Sequence, residues 1–375
     1  MFHAPVSRRS FLRSATGGAL GLGAVAVLGC GGNAKPGSTS TAAPPPTNAP
    51  APPTAPTTAS RTGAWTRVTP AGPAPSARRD HSLTFVPSTG LIYLFAGRAG
   101  GVSSNDVWTL DPAAARWAEV PVSGARPDVR FAHVATYDAP RDRLVIATGQ
   151  GASGNFFNDV WALDLKTSVW QQLDAASDDH PEIRYGAGGA HDGARSRLLI
   201  SHGFTDRGRF DDTWAFDLAD DRWTRLTTQG EVPIKRCLTR SLWVPEPGEL
   251  LLFGGQTDSN PFLGDFWALD EAAQKWNERR PMPLPGPRNL YGAALHAPSG
   301  SWFIFGGNTP GGPVSETWAY NVRDEAWASV DTSSGARPAR RYSADVAFVG
   351  SRLYMFGGHD DTTELDDLWT LDLAV

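Results

Sequence analysis

Cysteine is scarce in this sequence: the 375 residues include two, Cys30 and Cys237. Cys30 lies in an N-terminal stretch that we interpret below as a processed leader, which leaves Cys237 as the only thiol of the folded part. Disulfides are chemically allowed in an exported protein, but none could then form within this chain. We therefore expect the fold to be held by its hydrophobic core.

Excess positive charge is also lacking, since the formal net charge is −5 at pH 7. Removal of a leader that contains Arg8, Arg9 and Arg13 would make the protein more negative. Proteins that bind nucleic acid generally neutralise phosphates with a basic surface. The composition therefore argues against a nucleic-acid partner.

Recognisable catalytic and metal-binding spacings are missing as well. The sequence contains no HExxH, CxxC or GxSxG motif. His81 and His133 occupy equivalent repeat positions, but no third ligand accompanies them. We predict no catalytic residue, no metal site and no cofactor.

The N-terminus has the pattern of an export signal. Arg8 and Arg9 precede Phe-Leu, as in bacterial twin-arginine signals, and the apolar run ATGGALGLGAVAVLG that follows is shorter than the roughly 20 residues needed to span a bilayer. The run ends in VLGC, which resembles a lipobox with Cys30 as the lipidated residue; an ordinary cleaved signal is the alternative. We predict a signal at residues 1–30 and a disordered Pro/Thr/Ala/Ser-rich tether at 31–62.

Two series of tryptophans divide the remaining chain, residues 63–375, into repeats. Successive members are 51 to 53 residues apart in both series. The first series comprises Trp108, Trp161, Trp214, Trp267, Trp318 and Trp369, and the second comprises Trp65, Trp117, Trp170, Trp223, Trp276 and Trp327. Periods near 50 are typical of propeller blades.

Each repeat reads as four strands separated by Gly, Pro and Asp. An arginine and a run of small residues are followed by a turn, an apolar run that ends in Gly, a polar loop, the motif Asp-x-Trp-x-x-Asp and the second Trp. The apolar runs end at Gly97, Gly149, Gly203, Gly255, Gly307 and Gly358, and the last three are preceded by a second glycine. We expect the repeated carboxylates to accept backbone N–H bonds in turns.

The apolar run with its double glycine and the paired tryptophans resemble the kelch family from Trp65 to Val375. This resemblance implies an all-β, six-bladed propeller. Trp65 precedes the first complete repeat and matches the second series, so we expect the N-terminal strand to complete the last blade and close a monomeric ring.

One arginine per repeat starts the predicted innermost strand. The set comprises Arg78, Arg130, Arg184, Arg236, Arg288 and Arg341. In the kelch family such positions lie at one mouth of the channel, and the resemblance implies that the residues after the glycine lie there too: Arg98, Gln150, Phe204, Gln256, Asn308 and His359. Guanidinium groups suit carboxylate, sulfate or phosphate. The alternative is that each arginine pairs with a nearby Asp and is structural.

Two functional hypotheses follow. The first is a non-catalytic, lipid-anchored module of the cell envelope that binds a protein, or an anionic glycan or peptide, through the arginine-lined mouth. The second is a periplasmic enzyme acting on a sugar acid, similar to the kelch-type sialate mutarotases. Galactose oxidase also contains a kelch-type propeller, but no copper-ligand set can be matched to this sequence.

Overall fold

The computed structural model describes residues 61–173 and 179–373, so the predicted signal with Arg8, Arg9 and Cys30 lies outside the described residues. The described part is built from β-strands, with short 3₁₀ turns at Ala139–Arg141 and Ala297–Ser299. No helix among these residues is long and apolar enough to cross a membrane.

The first strand stands before the repeats, and the first two repeats supply four strands each. They are β1 (Arg61–Val68); β2 (Ser82–Val86), β3 (Leu91–Ala99), β4 (Val102–Asp111) and β5 (Arg116–Glu119); β6 (Val134–Asp138), β7 (Arg143–Ala147), β8 (Val160–Asp164) and β9 (Val169–Leu173).

The next two repeats follow the same order, with one extra hairpin in the first of them. They are β10 (Gly188–Asp192), β11 (Arg197–Ser201), β12 (Phe204–Thr205), β13 (Gly208–Arg209), β14 (Thr213–Asp217) and β15 (Arg222–Leu226); β16 (Arg240–Val244), β17 (Glu249–Gly255), β18 (Leu263–Asp270) and β19 (Lys275–Arg279).

The last part of the chain ends one strand short of a full repeat. Its strands are β20 (Gly292–His296), β21 (Ser301–Phe305), β22 (Asn308–Thr309), β23 (Gly312–Pro313), β24 (Thr317–Asn321) and β25 (Ala326–Asp331); β26 (Asp345–Val349), β27 (Arg352–Phe356) and β28 (Leu368–Leu373).

The strands form a β-propeller arrangement. Four separate four-stranded antiparallel sheets are β2-β3-β4-β5, β6-β7-β8-β9, β10-β11-β14-β15 and β16-β17-β18-β19. The remaining long strands form one sheet in the order β20-β21-β24-β25-β1-β28-β27-β26. The hydrophobic core lies between neighbouring sheets, as in the cluster that joins Val145 and Val160 to Ile200 and Trp214.

The N-terminal strand lies in the middle of this eight-stranded sheet. β1 pairs antiparallel with β28 from Gly63↔Leu373 to Val68↔Leu368, and its first two residues pair in parallel with β25. Trp65 is 2% exposed and meets Phe305 edge to face at 5.0 Å. The N-terminal strand that the position of Trp65 predicted is therefore present. It is the fourth strand of the half of this sheet that contains β26, β27 and β28.

The glycine that ends each apolar run is required by a close approach of two chain segments. At Gly255 the backbone has φ +99°, and a Cβ atom there would lie 2.8 Å from the carbonyl oxygen of Cys237. An L-residue is strained at this φ, and the contact would push the two segments apart. The residue before this glycine also has a positive φ. It is Gly254 in the fourth repeat, and Ala96, Thr148 and His202 in the first three repeats.

We predict that Trp65→Ala lowers the free energy of unfolding by about 3–5 kcal/mol, because it removes a buried indole and leaves a cavity between sheets. Urea titration followed by tryptophan fluorescence and circular dichroism measures the change. Thr66→Ala, on the exposed side of the same strand, should change stability by no more than about 0.5 kcal/mol. Equal stability of the two variants would contradict the role given to β1.

Candidate functional site

The six repeat arginines are buried, and each is bonded to the carboxylate two residues before a first-series tryptophan. Arg130 is representative: Nη1 donates to Asp159 Oδ1 at 2.7 Å and Nη2 donates to Oδ2 at 2.9 Å. The matching carboxylates are Asp106, Asp159, Asp212, Asp265, Glu316 and Asp367.

The remaining donors of each guanidinium bind backbone carbonyl groups. Arg130 Nη1 also donates to the oxygen of Thr148 at 3.0 Å, and Nε donates to the oxygen of Asp128 at 3.1 Å. The carboxylate in turn accepts a bond from the tryptophan, Trp161 Nε1 to Asp159 Oδ2 at 2.8 Å. These hydrogen bonds therefore connect the segment before β6 to the end of β7 and to the segment before β8 within one repeat.

These carboxylates do not have the role that we expected of them. Asp106 and its equivalents bind Arg and Trp side chains, whereas the Asp three residues after the tryptophan accepts turn N–H groups, as Asp164 Oδ1 does from Lys166 and Thr167. Burial alone would raise the pKa of Asp212, but the hydrogen bonds and charge of Arg184 outweigh it and hold this pKa below its usual value.

For the repeat arginines, this geometry favours the structural alternative over direct ligand contact. Arg130, Arg184, Arg236 and Arg341 have 0% exposed surface, and paired guanidinium groups of this kind have little capacity left for an anion. Contact between these six arginines and a ligand stays a prediction.

Two sets of backbone hydrogen bonds link neighbouring repeats near the axis. The glycine after each apolar run donates its N–H to the carbonyl of the next repeat's arginine, from Gly97 to Arg130 through to Gly358 to Arg78. The residues two positions after the arginines bond to one another in a closed ring: Asp80, Ala132, Gly186, Leu238, Leu290 and Ser343. A cavity of about 30 Å³ remains beside this ring, room for one or two water molecules.

The residues predicted at the mouth come together beside this ring. Each pairs through an isolated antiparallel bridge with the residue that follows a repeat arginine. The pairs are Arg79 with Arg98, Phe131 with Gln150, Tyr185 with Phe204, Cys237 with Gln256, Asn289 with Asn308 and Tyr342 with His359. We call these twelve residues the mouth; the partner of each predicted residue was missed, although its position next to the repeat arginine was a usable signal.

One side of the mouth is aromatic and cationic. Tyr185 has ring-centroid distances of 6.1 Å to Phe131 and 5.6 Å to Phe204. The guanidinium of Arg98 lies 4.0 Å from the Phe131 ring centroid and donates to Asp80 Oδ2 at 2.9 Å, with 34% of its side chain exposed. Planar guanidinium stacked on an aromatic face is well placed to receive a carboxylate at its edge.

The other side of the mouth carries amides and a second arginine. Asn289 Nδ2 donates to Gln256 Oε1 at 3.1 Å, next to Asn308. Arg79 lies 3.6 Å from Glu364 and donates to the hydroxyl of Tyr342 at 3.4 Å. The ring of Tyr342 packs on His359 with centroids 5.2 Å apart. The mouth can therefore offer both charge and neutral hydrogen-bonding groups.

The two axial histidines are buried below the mouth. Burial, with the positive charges of Arg130 and Arg240, lowers the pKa of His133 to about 3, and its Nε2 lies 2.9 Å from Ser82 Oγ. Burial, followed by the charge of Arg78, also lowers the pKa of His81. Across the described residues, no three His, Cys, Asp or Glu side chains come close enough to share a metal ion.

Comparison with known proteins agrees with this architecture. The model of the KLHDC2/KLHL20/DRC7 Kelch-repeats domain matches residues 57–246 and 237–375. The chain therefore belongs to the kelch-repeat family.

Curated relatives match the chain at low identity. They include Mei4-dependent protein 6 of Schizosaccharomyces pombe, 22% identical over 80% of this chain and 48% of that protein. Acyl-CoA-binding domain-containing protein 5 of Arabidopsis thaliana is 26% identical over 74% of this chain and 44% of its own length. Adagio protein 3, also of Arabidopsis thaliana, is 27% identical over 83% and 52%. The chain thus spans about half the length of these relatives.

We predict that Arg184→Ala lowers the free energy of unfolding by about 3–5 kcal/mol, because it leaves the partly buried carboxylate of Asp212 without its partner. Chemical denaturation at pH 7 measures the loss. Arg222→Ala, an exposed arginine of the same repeat, should leave stability nearly unchanged. A loss of less than 1 kcal/mol for Arg184→Ala would contradict the structural role.

A second prediction concerns pH. Because the folded-state pKa of His133 is depressed, its contribution to stability is present above about pH 6.5 and is lost as pH falls toward 3. This residue alone should lower the free energy of unfolding by about 2 kcal/mol between pH 7 and pH 5. His133→Gln should reduce that pH dependence by this amount, whereas His180→Gln, at an exposed position, should not. Identical pH profiles for all three proteins would refute the assignment.

Proposed function

We propose that this chain is a six-bladed kelch propeller that acts as a protein-interaction module, and that its mouth binds a partner segment carrying an acidic side chain beside an apolar one. The kelch-repeat match supports the interaction role. The observation that carries the proposal is the partly exposed guanidinium of Arg98, which stacks on the ring of Phe131 in the mouth.

Three features support a count of six. Each of the two backbone hydrogen-bond sets closes on itself after six repeats. The arginine, carboxylate and tryptophan group recurs six times in the described residues. The eight-stranded sheet divides naturally at the short parallel pairing of β1 with β25, which joins two four-stranded blades.

In this proposal the buried arginines position the mouth and the exposed ones contact the ligand. Arg79 and Arg98 have 22% and 34% of their side chains exposed; Arg79 lies 3.6 Å from Glu364 and 4.0 Å from Asp80, and Arg98 lies 2.9 Å from Asp80. A ligand carboxylate would add to these contacts without transferring a bare charge into the interior. Tyr185 and Phe204, which are partly exposed, would receive the apolar side chain next to it.

We also propose that the module is exported and held at a membrane by lipid on Cys30, with residues 31–62 as the tether. The supports are the Arg8-Arg9 pattern and the VLGC sequence. Incorporation of labelled palmitate into the full chain, and its loss in Cys30→Ser, tests this part; equal labelling of both chains would refute it.

Selection from a library of peptides about ten residues long, against the purified chain, tests the mouth. Acidic peptides that contain an aromatic or aliphatic residue should be enriched, with affinity that falls as salt rises. The double variant Arg79→Gln, Arg98→Gln should bind them roughly tenfold less tightly, while Arg222→Gln, with an exposed arginine on another surface, should bind as wild type does.

Two results would count against this function. Wild-type affinity in the double variant would place the binding surface elsewhere. Conversion of a sialic or uronic acid by the purified chain would instead support the sugar-acid enzyme, since a binding module forms no product.

A further inference from the structure

A recess lies on the propeller axis at the end opposite the mouth. It is lined by the second halves of the inner strands β2, β6, β10, β20 and β26 and has a volume of about 480 Å³. This is within the range of small-molecule sites, roughly 300–1,000 Å³. The closed ring of backbone bonds and the small axial cavity separate the recess from the mouth.

Small side chains near the axis leave this space open, and larger side chains surround it. Ala135, Ala293, Ala294 and Ala347 line the wall, so these five inner strands converge without filling the centre. Aromatic groups stand further out along the same strands: Phe85, Tyr137, His191 and Phe348. The result is an apolar, ring-lined cup rather than a flat surface.

The lining residues in this part of the structure include no Asp, Glu, Lys or Arg. An ion pair is found at the inner end, where Asp345 Oδ2 accepts the backbone N–H of the lining residue Leu83 at 2.8 Å. Arg240 reaches this carboxylate from β16, with Nη2 3.5 Å from Asp345 Oδ1. Arg240 itself lines the small axial cavity, so its guanidinium lies between that cavity and the inner end of the recess.

Arg240 makes fewer and longer hydrogen bonds than the six repeat arginines do. Its contact with Asp345 is longer than the 2.7–2.9 Å of a strong charge-assisted bond. Nε donates to the carbonyl of Tyr291 at 3.3 Å, and Nη1 has no hydrogen-bond acceptor among the described residues. One third of the side chain is exposed, at 34%. Burial raises the pKa of Asp345 although Arg240 opposes this, as expected for a loose pair.

From this juxtaposition we propose that the recess binds a small aryl carboxylate, with its ring among the aromatic side chains and its carboxylate on Arg240. The ring would lie beside Phe85 and Tyr137, which line the recess, and would remove apolar surface from water. The carboxylate takes the unused donors of the guanidinium at the inner end. The site is independent of the mouth, because different residues at the opposite end of the axis form it.

Binding of phenylacetate to the full chain, compared with its neutral amide phenylacetamide, tests the proposal by calorimetry and ligand-observed NMR. Wild type should bind phenylacetate saturably and more tightly than the amide. Arg240→Met should weaken phenylacetate roughly tenfold or more and leave the amide nearly unchanged. Asp345→Asn, which removes the competing carboxylate, should strengthen phenylacetate binding several-fold.

Ala294→Phe fills the recess without changing a charge and should abolish binding of both compounds. Arg222→Gln, at an exposed position on β15, should leave both affinities unchanged. The preference of the wild-type chain for phenylacetate over phenylacetamide is measured without any variant. It therefore tests the proposal even if a substitution prevents folding. Absence of saturable binding, equal affinity for acid and amide, or wild-type binding by Ala294→Phe would overturn the proposal. None of these outcomes bears on peptide binding at the mouth.

Discussion

A buried guanidinium that serves one carboxylate and several carbonyl groups is the interaction on which this propeller depends. In each repeat it joins the start of the inner strand to the end of the apolar run and to the carboxylate before the first tryptophan, as Arg130 does with Thr148 and Asp159. The carbonyl of the same arginine accepts the glycine N–H of the preceding repeat. One residue therefore sets both the internal geometry of a blade and its distance from the next. A buried charge is costly unless fully paired, which explains why the whole group recurs together.

The two ends of the propeller axis differ in the side chains that surround the buried arginines and the ring of backbone hydrogen bonds. At the mouth, the residues two positions after the arginines have positive φ and bond to one another in a ring, and the side chains that follow the arginines and the glycines remain available for contact. At the opposite end the inner strands continue past the ring with alanines, so space opens between them. The same scaffold thereby offers a surface with charged and aromatic side chains at one end and an open, mainly apolar recess at the other.

The sequence allowed the strands and their order to be predicted, because the tryptophan period and the glycine positions are local and repeated. The pairing of β1 with β28 also followed, since Trp65 matches the outer-strand series. The partner of each arginine did not, because it lies 26 to 29 residues away and is brought close only by the path of the apolar run. Arg79 and Tyr342 at the mouth were missed although each directly follows a repeat arginine. Arg240 near the recess was missed because its position carries no residue type shared between the repeats.

The position of β1 has a consequence for how the chain reaches this fold. β1 is the first described strand, yet its main partner is β28, the last. Closing so long a loop is slow compared with forming the hairpins inside a repeat. Because synthesis proceeds from the N-terminus, the hairpins can form as they emerge, while β1 must wait until the chain is complete. During that interval β25 and β28 each lack their partner strand β1, and we expect the pairing of β1 with β28 to form last.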